Sequence, residues 1–436
     1  MIGHRFPVAA MLIATSIVCL LSIAGSTAHT ANAAAPLSDQ EQLGKLLFFD
    51  ADLSDPPGQA CAVCHAPEVG FTGPDEAINK TGAVYEGAVP GRFGNRKPPA
   101  SAYAGDSPIL YYDAAEGAWV GGMFWDGRAT GATLGDPLAE QAQGPFLNPL
   151  EQNIATPQAV VDKVLASDYS ALFLQVCTDE NTYYDCIGRS IAAYERSAEV
   201  NPFSSKYDAY LRGLATLTGQ ESKGLELFKG KAQCSACHTL DGEGAPFTDF
   251  TYDNLGLPRN PQNPFYSEPE WNPQGAAWVD LGLGGFLKSE GYAEAIWSAE
   301  IGKHKVPTLR NVDLRPGHKF VKAYGHNGYF KTLEGIVHFY NTRDVLPRCP
   351  DTTPDDPTDD YTEAQALKSK CWPAPEVAEN VNTDELGNLG LNRGEELAIV
   401  AFLKTLSDGY IPAGVAAAGL TGPEGGALYL PILNTQ

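Results

Sequence analysis

Two C-x-x-C-H motifs constrain the fold of this 436-residue chain more than any other feature. The motifs are Cys61, Cys64, His65 and Cys234, Cys237, His238. In such a motif two thiols can add to the vinyl groups of one haem while the adjacent histidine reaches the iron. A zinc site needs a fourth ligand, which neither motif supplies, and a redox dithiol does not need the histidine. The sequence therefore predicts two covalently bound haem c groups.

The segments that precede the two motifs repeat each other. Residues 38–49 (SDQEQLGKLLFF) and 218–229 (TGQESKGLELFK) both begin with Ser or Thr followed three positions later by Glu. This capping box satisfies free backbone N–H groups at a helix start, and the apolar residues that follow recur at helical spacing. The duplication predicts a mainly α fold with two cytochrome c-like helical domains, each with one haem c, joined by long loops.

The remaining chain follows the same organisation. Further helices are predicted at residues 156–176, 186–200 and 392–408, and long loops at residues 66–122 and 241–292. The predicted units are an N-terminal domain at residues 34–215, a C-terminal domain at 216–410 and a tail at 411–436. The tail is low in charge, and no structure is assigned to it.

The first 33 residues have the pattern of a secretory signal peptide. They combine a cationic start at Arg5, an apolar run from about residue 8 to residue 23, and a small-residue end at Ala31-Asn32-Ala33. No later stretch reaches the roughly 18 unbroken apolar residues that a bilayer span needs. A periplasmic protein without a membrane span is expected.

The charge and the other cysteines agree with that compartment. The net charge of −23 argues against nucleic acid and favours a cationic or hydrophobic protein partner, unless acidity only maintains solubility. Outside the leader and the two motifs, four cysteines form two locally spaced pairs. In an oxidising compartment these predict the disulfides Cys177–Cys186 and Cys349–Cys371.

Few residues are available to complete the irons. No histidine lies between His65 and His238, and Met123 is the last methionine of the chain. The sixth ligand of the second haem must therefore be a histidine or tyrosine, or be absent. The candidates are His304, His318, His326, His338, Tyr340 or another tyrosine.

At this point the chain resembles the bacterial di-haem cytochrome c peroxidase and MauG family. Beyond the haem motifs, the resemblance rests on FWDGRA (124–129), LAEQAQGPFLNPLE (138–151), VPTLRNV (306–312) and YGHNGYFKTLEGIVHFYN (324–341). It implies that the position that binds the second iron, methionine in the peroxidases and tyrosine in MauG, falls on Tyr340. His338 points roughly 200° away around the helix and cannot share that target.

The ligand type matters for the chemistry. Thioether ligation raises the haem potential, whereas a phenolate stabilises higher oxidation states of iron. The first haem lacks the loop histidine that blocks the iron in many family members, so we expect it to be open to peroxide. Met123, beside two glycines, is expected to line a pocket instead of binding iron.

The resemblance also assigns supporting residues. Glu140 is the predicted acid–base group for peroxide cleavage, with Gln141 as a possible substitute and a solvated carboxylate as the alternative. Arg128 and Arg310 are expected to contact haem propionates, and His326 a propionate or the inter-haem region. Trp119 and Trp125 are either electron bridges or packed aromatics.

A calcium ion lies between the two domains in this family, held by an Asn side chain and backbone carbonyls. The Asn position falls on Lys97 here, with Asn95 nearby, and VKAYGH (321–326) replaces the family's T-A-P-Y-F-H. The sequence thus leaves calcium in doubt.

The predicted function is a periplasmic peroxidase that reduces hydrogen peroxide at the first haem with electrons from a small periplasmic donor protein. A second hypothesis is a MauG-like maturase that oxidises Trp or Tyr residues of a protein substrate. A third is a non-catalytic di-haem electron carrier, which would require both irons to be six-coordinate.

Overall fold

The computed structural model describes residues 36–353 and 360–412. The predicted signal peptide, and all of the predicted tail beyond residue 412, lie outside the described residues. Among the described residues, every helix is too short or too polar to cross a membrane.

Helices dominate the described chain, as the repeat predicts. The first eight are α1 (Asp39–Phe49), α2 (Cys61–Cys64), α3 (Glu76–Asn79), α4 (Pro137–Leu147), α5 (Pro157–Leu165), α6 (Ser170–Val176), α7 (Tyr183–Arg196) and α8 (Lys206–Leu211). The later ones are α9 (Gly219–Lys229), α10 (Gly282–Ser289), α11 (Glu294–Trp297), α12 (Leu333–Thr342), α13 (Glu363–Ser369) and α14 (Arg393–Lys404).

The strands are short. They are β1 (Tyr111–Asp113), β2 (Ala118–Val120), β3 (Tyr252–Asp253) and β4 (His304–Lys305). β1 pairs antiparallel with β2 in a hairpin, with Tyr112 opposite Trp119. β3 pairs antiparallel with β4, which ties the loop after the second haem motif to the segment before VPTLRNV.

Both predicted capping boxes are present. The Ser38 hydroxyl accepts the Glu41 N–H and the Thr218 hydroxyl accepts the Glu221 N–H, while each Glu side chain returns to the cap backbone. These reciprocal bonds satisfy N–H groups that a helix start leaves free. α1 and α9 therefore begin where the sequence predicts.

The helix predicted at residues 156–176 is interrupted. α5 ends at Leu165 and α6 begins at Ser170, and the Ser167 hydroxyl donates to the Val164 carbonyl at 2.7 Å. A serine that satisfies a backbone carbonyl in this way competes with helix continuation. The other two predicted helices, now α7 and α14, are confirmed with shifted ends.

The buried side chains gather into two large cores. One is built from residues between Leu43 and Val200 and the other from residues between Tyr207 and Leu406. In the first, α1 packs on α7, and in the second, α9 packs on α14. Tyr207 of α8 packs edge-on against Phe402 of α14, so α8 contributes to the second core. The domain limits at 215 and 216 stay a prediction.

The two predicted disulfides are confirmed. Cys177 is bonded to Cys186 and Cys349 to Cys371, with Cα atoms 5.9 Å and 5.0 Å apart. The four cysteines of the two C-x-x-C-H motifs are not bonded to one another. They remain available for another covalent partner.

Candidate functional site

The first motif presents a buried, neutral imidazole. His65 follows α2, and its Nδ1 lies 3.1 Å from the Phe71 carbonyl oxygen, so Nδ1–H donates there and Nε2 keeps its lone pair. Burial lowers the pKa of His65 to about 4. A neutral histidine whose orientation is fixed by its other nitrogen is the form that binds a metal. His65 therefore fits an iron ligand.

The second motif repeats this arrangement. Nδ1 of His238 lies 2.9 Å from the Phe247 carbonyl oxygen, and burial lowers the pKa of His238. A cavity lined by Cys234, Cys237, His238 and Tyr340 opens in front of it, walled by apolar side chains of α9, α12 and α14. The donor set and the apolar wall fit a haem c.

Tyr340 and His338 lie on different faces of α12. Tyr340 lines the cavity that contains His238, and burial raises the pKa of its phenol well above the usual value. Nδ1 of His338 instead lies 2.8 Å from Glu396 Oε1, and its ring packs against Trp372. The helix geometry thus directs only Tyr340 toward the cavity. Iron ligation by Tyr340 stays a prediction.

Glu140 is held by backbone N–H groups. Its Oε1 accepts from Thr133 and Leu134 at 2.6 and 2.8 Å, and its Oε2 accepts from Gly131 at 2.7 Å. It stands in the first turn of α4, where carboxylates commonly satisfy free N–H groups. A carboxylate used three times as a loop anchor is poorly placed to exchange protons with peroxide, so these contacts give no support to the acid–base role of Glu140, which stays a prediction.

Glu151, at the end of the same motif, is better placed. Its charge is the second cause, after burial, that raises the pKa of the Cys64 thiol to about 12. The next residue, Gln152, donates to the Gln59 carbonyl, and the Gln59 side chain lies 3.5 Å from Cys64 Sγ, so the segment lies near the first haem motif. Burial raises the pKa of Glu151 itself, although the Arg128 charge and a bond from Asn148 act in the opposite direction. The sequence analysis assigned no role to Glu151, although it is the last residue of the motif LAEQAQGPFLNPLE (138–151).

The two arginines predicted to contact haem propionates have different partners. Arg128 Nη1 pairs with Asp126, and its guanidinium lies 3.7 Å from the centre of the Phe124 ring. Arg310 is buried and Nη1 pairs with Asp208, but Nη2 has no hydrogen-bond partner among the described residues. That free donor of Arg310 suits a propionate.

Two further residues of the sequence analysis are Met123 and Gln141. Met123 is buried in a small apolar cluster with Leu138 and Ala192, and its place in a pocket wall stays a prediction. Gln141 follows Glu140 on α4 and is partly buried. Neither residue has a contact that assigns it to peroxide chemistry.

His326 stacks on His304, which the sequence gave only as one of several possible iron ligands. The rings of His304 and His326 are 3.5 Å apart and 6° from parallel, and their buried Nε2 atoms lie 3.3 Å from Asp280 Oδ1 and 3.7 Å from Glu376 Oε2, respectively. Asp280 lies within reach of both but is paired with Arg96 through both carboxylate oxygens. Lone pairs lie in the ring planes, so two parallel rings cannot both point at one metal ion.

Trp119 and Trp125 differ in position. Trp125 lines the cavity and its indole N–H donates to the Lys97 carbonyl at 2.8 Å. Trp119 packs edge-on between Tyr112 and Tyr292, both exposed. Of the two, Trp125 lies at the haem cavity.

Known proteins share this arrangement of motifs and fold. A family model described as di-haem cytochrome c peroxidase matches residues 38–216. The methylamine utilization protein MauG of Paracoccus denitrificans is 36% identical over 407 residues, which cover 90% of this chain and 95% of MauG. Cytochrome c551 peroxidase of Nitrosomonas europaea is 29% identical over 305 residues, 69% of this chain and 72% of the relative.

A solved structure supports the same family assignment. The crystal structure of the diheme peroxidase BthA from Burkholderia thailandensis superposes with a TM-score of 0.68 and 31% identity, covering 88% of this chain and 90% of that one. The fold, the paired motifs and these relatives define a haem oxidoreductase. The chain belongs to the di-haem cytochrome c peroxidase and MauG family, which implies haem c as its cofactor.

Proposed function

We propose that the chain carries two covalent haem c groups in the periplasm after removal of residues 1–33. The thioether bonds form at Cys61 and Cys64 for the first haem and at Cys234 and Cys237 for the second. In support, all four thiols are free of disulfides and each motif histidine is neutral with Nε2 available.

The first haem is the site of peroxide reduction. When bound, it supplies the redox-active iron at which hydrogen peroxide accepts two electrons. Glu151 takes the proton from the near oxygen of peroxide and returns it to the leaving oxygen, so that the O–O bond breaks with release of water. The raised pKa of Glu151 suits the first step, because it makes the carboxylate a stronger base toward the peroxide proton.

His238 and Tyr340 would hold the second haem, which would supply a redox centre for electrons from a protein donor. Their shared cavity supports this assignment. Arg310 Nη2 is a buried donor without a hydrogen-bond partner among the described residues, and it would bind a propionate of this haem. Trp125 lies in the same wall.

A maturase is the second candidate function. Tyrosine at position 340, together with the 36% identity to MauG, favours a second haem that retains oxidising equivalents for a protein substrate. A peroxidase and a maturase share every step up to the reduction of peroxide. They differ only in whether a small donor protein or a Trp or Tyr side chain supplies the electrons.

The observation that carries the proposal is that the two motifs have different surroundings: the Glu151 charge acts on Cys64 of the first motif, whereas Tyr340 lines the same cavity as His238 of the second. Mass spectrometry of the denatured protein should give the mass of the mature chain plus two haems. The resting ferric EPR spectrum should show one high-spin and one low-spin signal, and the oxidised protein should react with peroxide without prior reduction. Two low-spin signals with no peroxide reaction would instead identify an electron carrier.

A further inference from the structure

Two buried lysines face the haem cavity without a carboxylate partner. Lys97 is 9% exposed and Lys322 is 4% exposed, and both line the cavity that contains His238. Among the described residues, neither ammonium group belongs to an ion pair. A buried ammonium is costly unless hydrogen bonds satisfy it, so its retention calls for a physical reason.

Lys97 sits between the two haem segments. Its Nζ donates to the Thr72 hydroxyl and to the Pro98 carbonyl, both at 2.9 Å. Its backbone N–H donates to the His326 carbonyl at 2.8 Å, and its carbonyl accepts the Trp125 indole N–H. Lys97 therefore connects the first haem segment with the region around His326.

Lys322 makes a second connection of the same kind. Its Nζ donates to three backbone carbonyls, those of Val69 at 2.8 Å, Asn311 at 2.9 Å and Leu314 at 3.0 Å. Val69 lies four residues after His65, whereas the other two carbonyls follow the second haem motif. The Lys322 ammonium group is thus hydrogen-bonded to carbonyl oxygens from segments that follow each of the two haem motifs.

The two charges are close enough to act on each other. Two causes lower the pKa of Lys322: burial is the larger, and the charge of Lys97 is the second. Burial also lowers the pKa of Lys97, to about 8. A divalent cation in the same space would meet two positive charges and oxygen atoms already occupied by N–H groups. Calcium requires six to eight free oxygen ligands, so the residues present do not fit the family's calcium ion.

We propose that Lys97 and Lys322 together act as the structural cation between the two haem segments, in place of calcium. Lys97 occupies the position expected for the calcium-binding Asn, and Lys322 lies in VKAYGH, the replaced carbonyl segment. The inference rests on the haem assignment of the proposed function but not on the electron donor. An ammonium fixed to the chain cannot be removed by a chelator.

The first test uses the haem-replete wild-type protein. It is incubated with excess calcium chloride, desalted and analysed for metals, and a second sample is treated with EGTA. We expect less than about 0.1 calcium per chain and unchanged EPR spectra after EGTA. About one calcium per chain, removed by EGTA with a change in the haem signals, would overturn the proposal. A protein with fewer than two haems would instead contradict the haem assignment.

The second test removes each charge in turn. Lys97→Met and Lys322→Met are compared with Lys368→Met, an exposed position on α13. Loss of a buried positive charge beside a haem stabilises the oxidised iron, so redox titration should show lower midpoint potentials in the first two variants only. Added calcium should not restore them. Unchanged potentials in both would contradict the proposal, and if neither variant folds, the calcium analysis of the wild type decides.

Discussion

Each half of the molecule contains one pair of packed helices, α1 with α7 and α9 with α14, and a haem motif follows the first helix of each pair. A Cβ added at Gly44 of α1 would lie 1.8 Å from the Ser190 carbonyl oxygen, and one at Gly224 of α9 would lie 1.9 Å from that of Ala398. Each motif histidine donates Nδ1–H to a carbonyl that follows it in sequence. The halves therefore differ little in scaffold.

They differ in the side chains brought near each motif. In the first half, burial and, after it, the charges of Glu195 and Glu151 raise the pKa of Cys61. The second motif shares a cavity with the phenol of Tyr340. In the helix-pair register, Glu195 of α7 corresponds to Leu403 of α14, and both are buried. In the proposed function, one scaffold thus serves proton transfer in the first half and storage of oxidising equivalents in the second.

The largest expected effect concerns Glu151. Glu151→Gln should keep both haem spectra but slow the reaction with peroxide by about 10²-fold or more, the scale of general acid–base catalysis. Stopped-flow mixing measures this rate. Glu140→Gln is the matched control, and a rate near wild type is expected for it. The reverse pattern would return the proton-transfer role to Glu140.

The second prediction concerns the ligand that distinguishes the second half. Tyr340→Phe should abolish or alter the low-spin ferric EPR signal, because phenylalanine offers no atom to the iron. His338→Ala should leave that signal unchanged, since its ring bonds Glu396 on another face of α12. Loss of the signal in His338→Ala alone would reverse the assignment.

The third prediction tests the shared scaffold. Gly224→Ala and Gly44→Ala each force a methyl group against a backbone carbonyl and should lower the free energy of unfolding by about 1–3 kcal/mol. Gly219→Ala, where a Cβ would meet no atom within 4 Å, should cost little. Denaturant unfolding of the haem-bound protein compares the three. Equal stabilities would mean that the helix pairs can separate without cost.

The smallest effect depends on pH. Burial raises the pKa of Glu195 from 4.5 to about 8, so folding favours the protonated carboxyl. Its contribution to stability is fully present below pH 4.5 and is lost as the pH rises through about 8. Glu195→Leu, which copies the second half, should raise the melting temperature at pH 9 by roughly 2 °C and less at pH 5. A gain that does not vary with pH would show that Glu195 does not titrate there.

Local pattern was sufficient for much of this protein. The haem attachment motifs, the capping boxes at Ser38 and Thr218, and the disulfide pairings depend on residues close in sequence, so their spacing predicted them. The separation of Tyr340 from His338 followed from helix periodicity alone. The break between α5 and α6 did not, because a single serine hydroxyl ended a pattern that reads as one helix.

Tertiary structure decided what each polar side chain contacts. Glu140 and Glu151 belong to one motif, yet only the fold shows that loop N–H groups hold the first and that the second is near Cys64. The stack of His304 on His326 joins residues 22 positions apart. The Lys322 ammonium group donates to the carbonyl of Val69, which lies far from it in the sequence. Burial and charge pairing depend on such long-range contacts, and these appear in no local pattern.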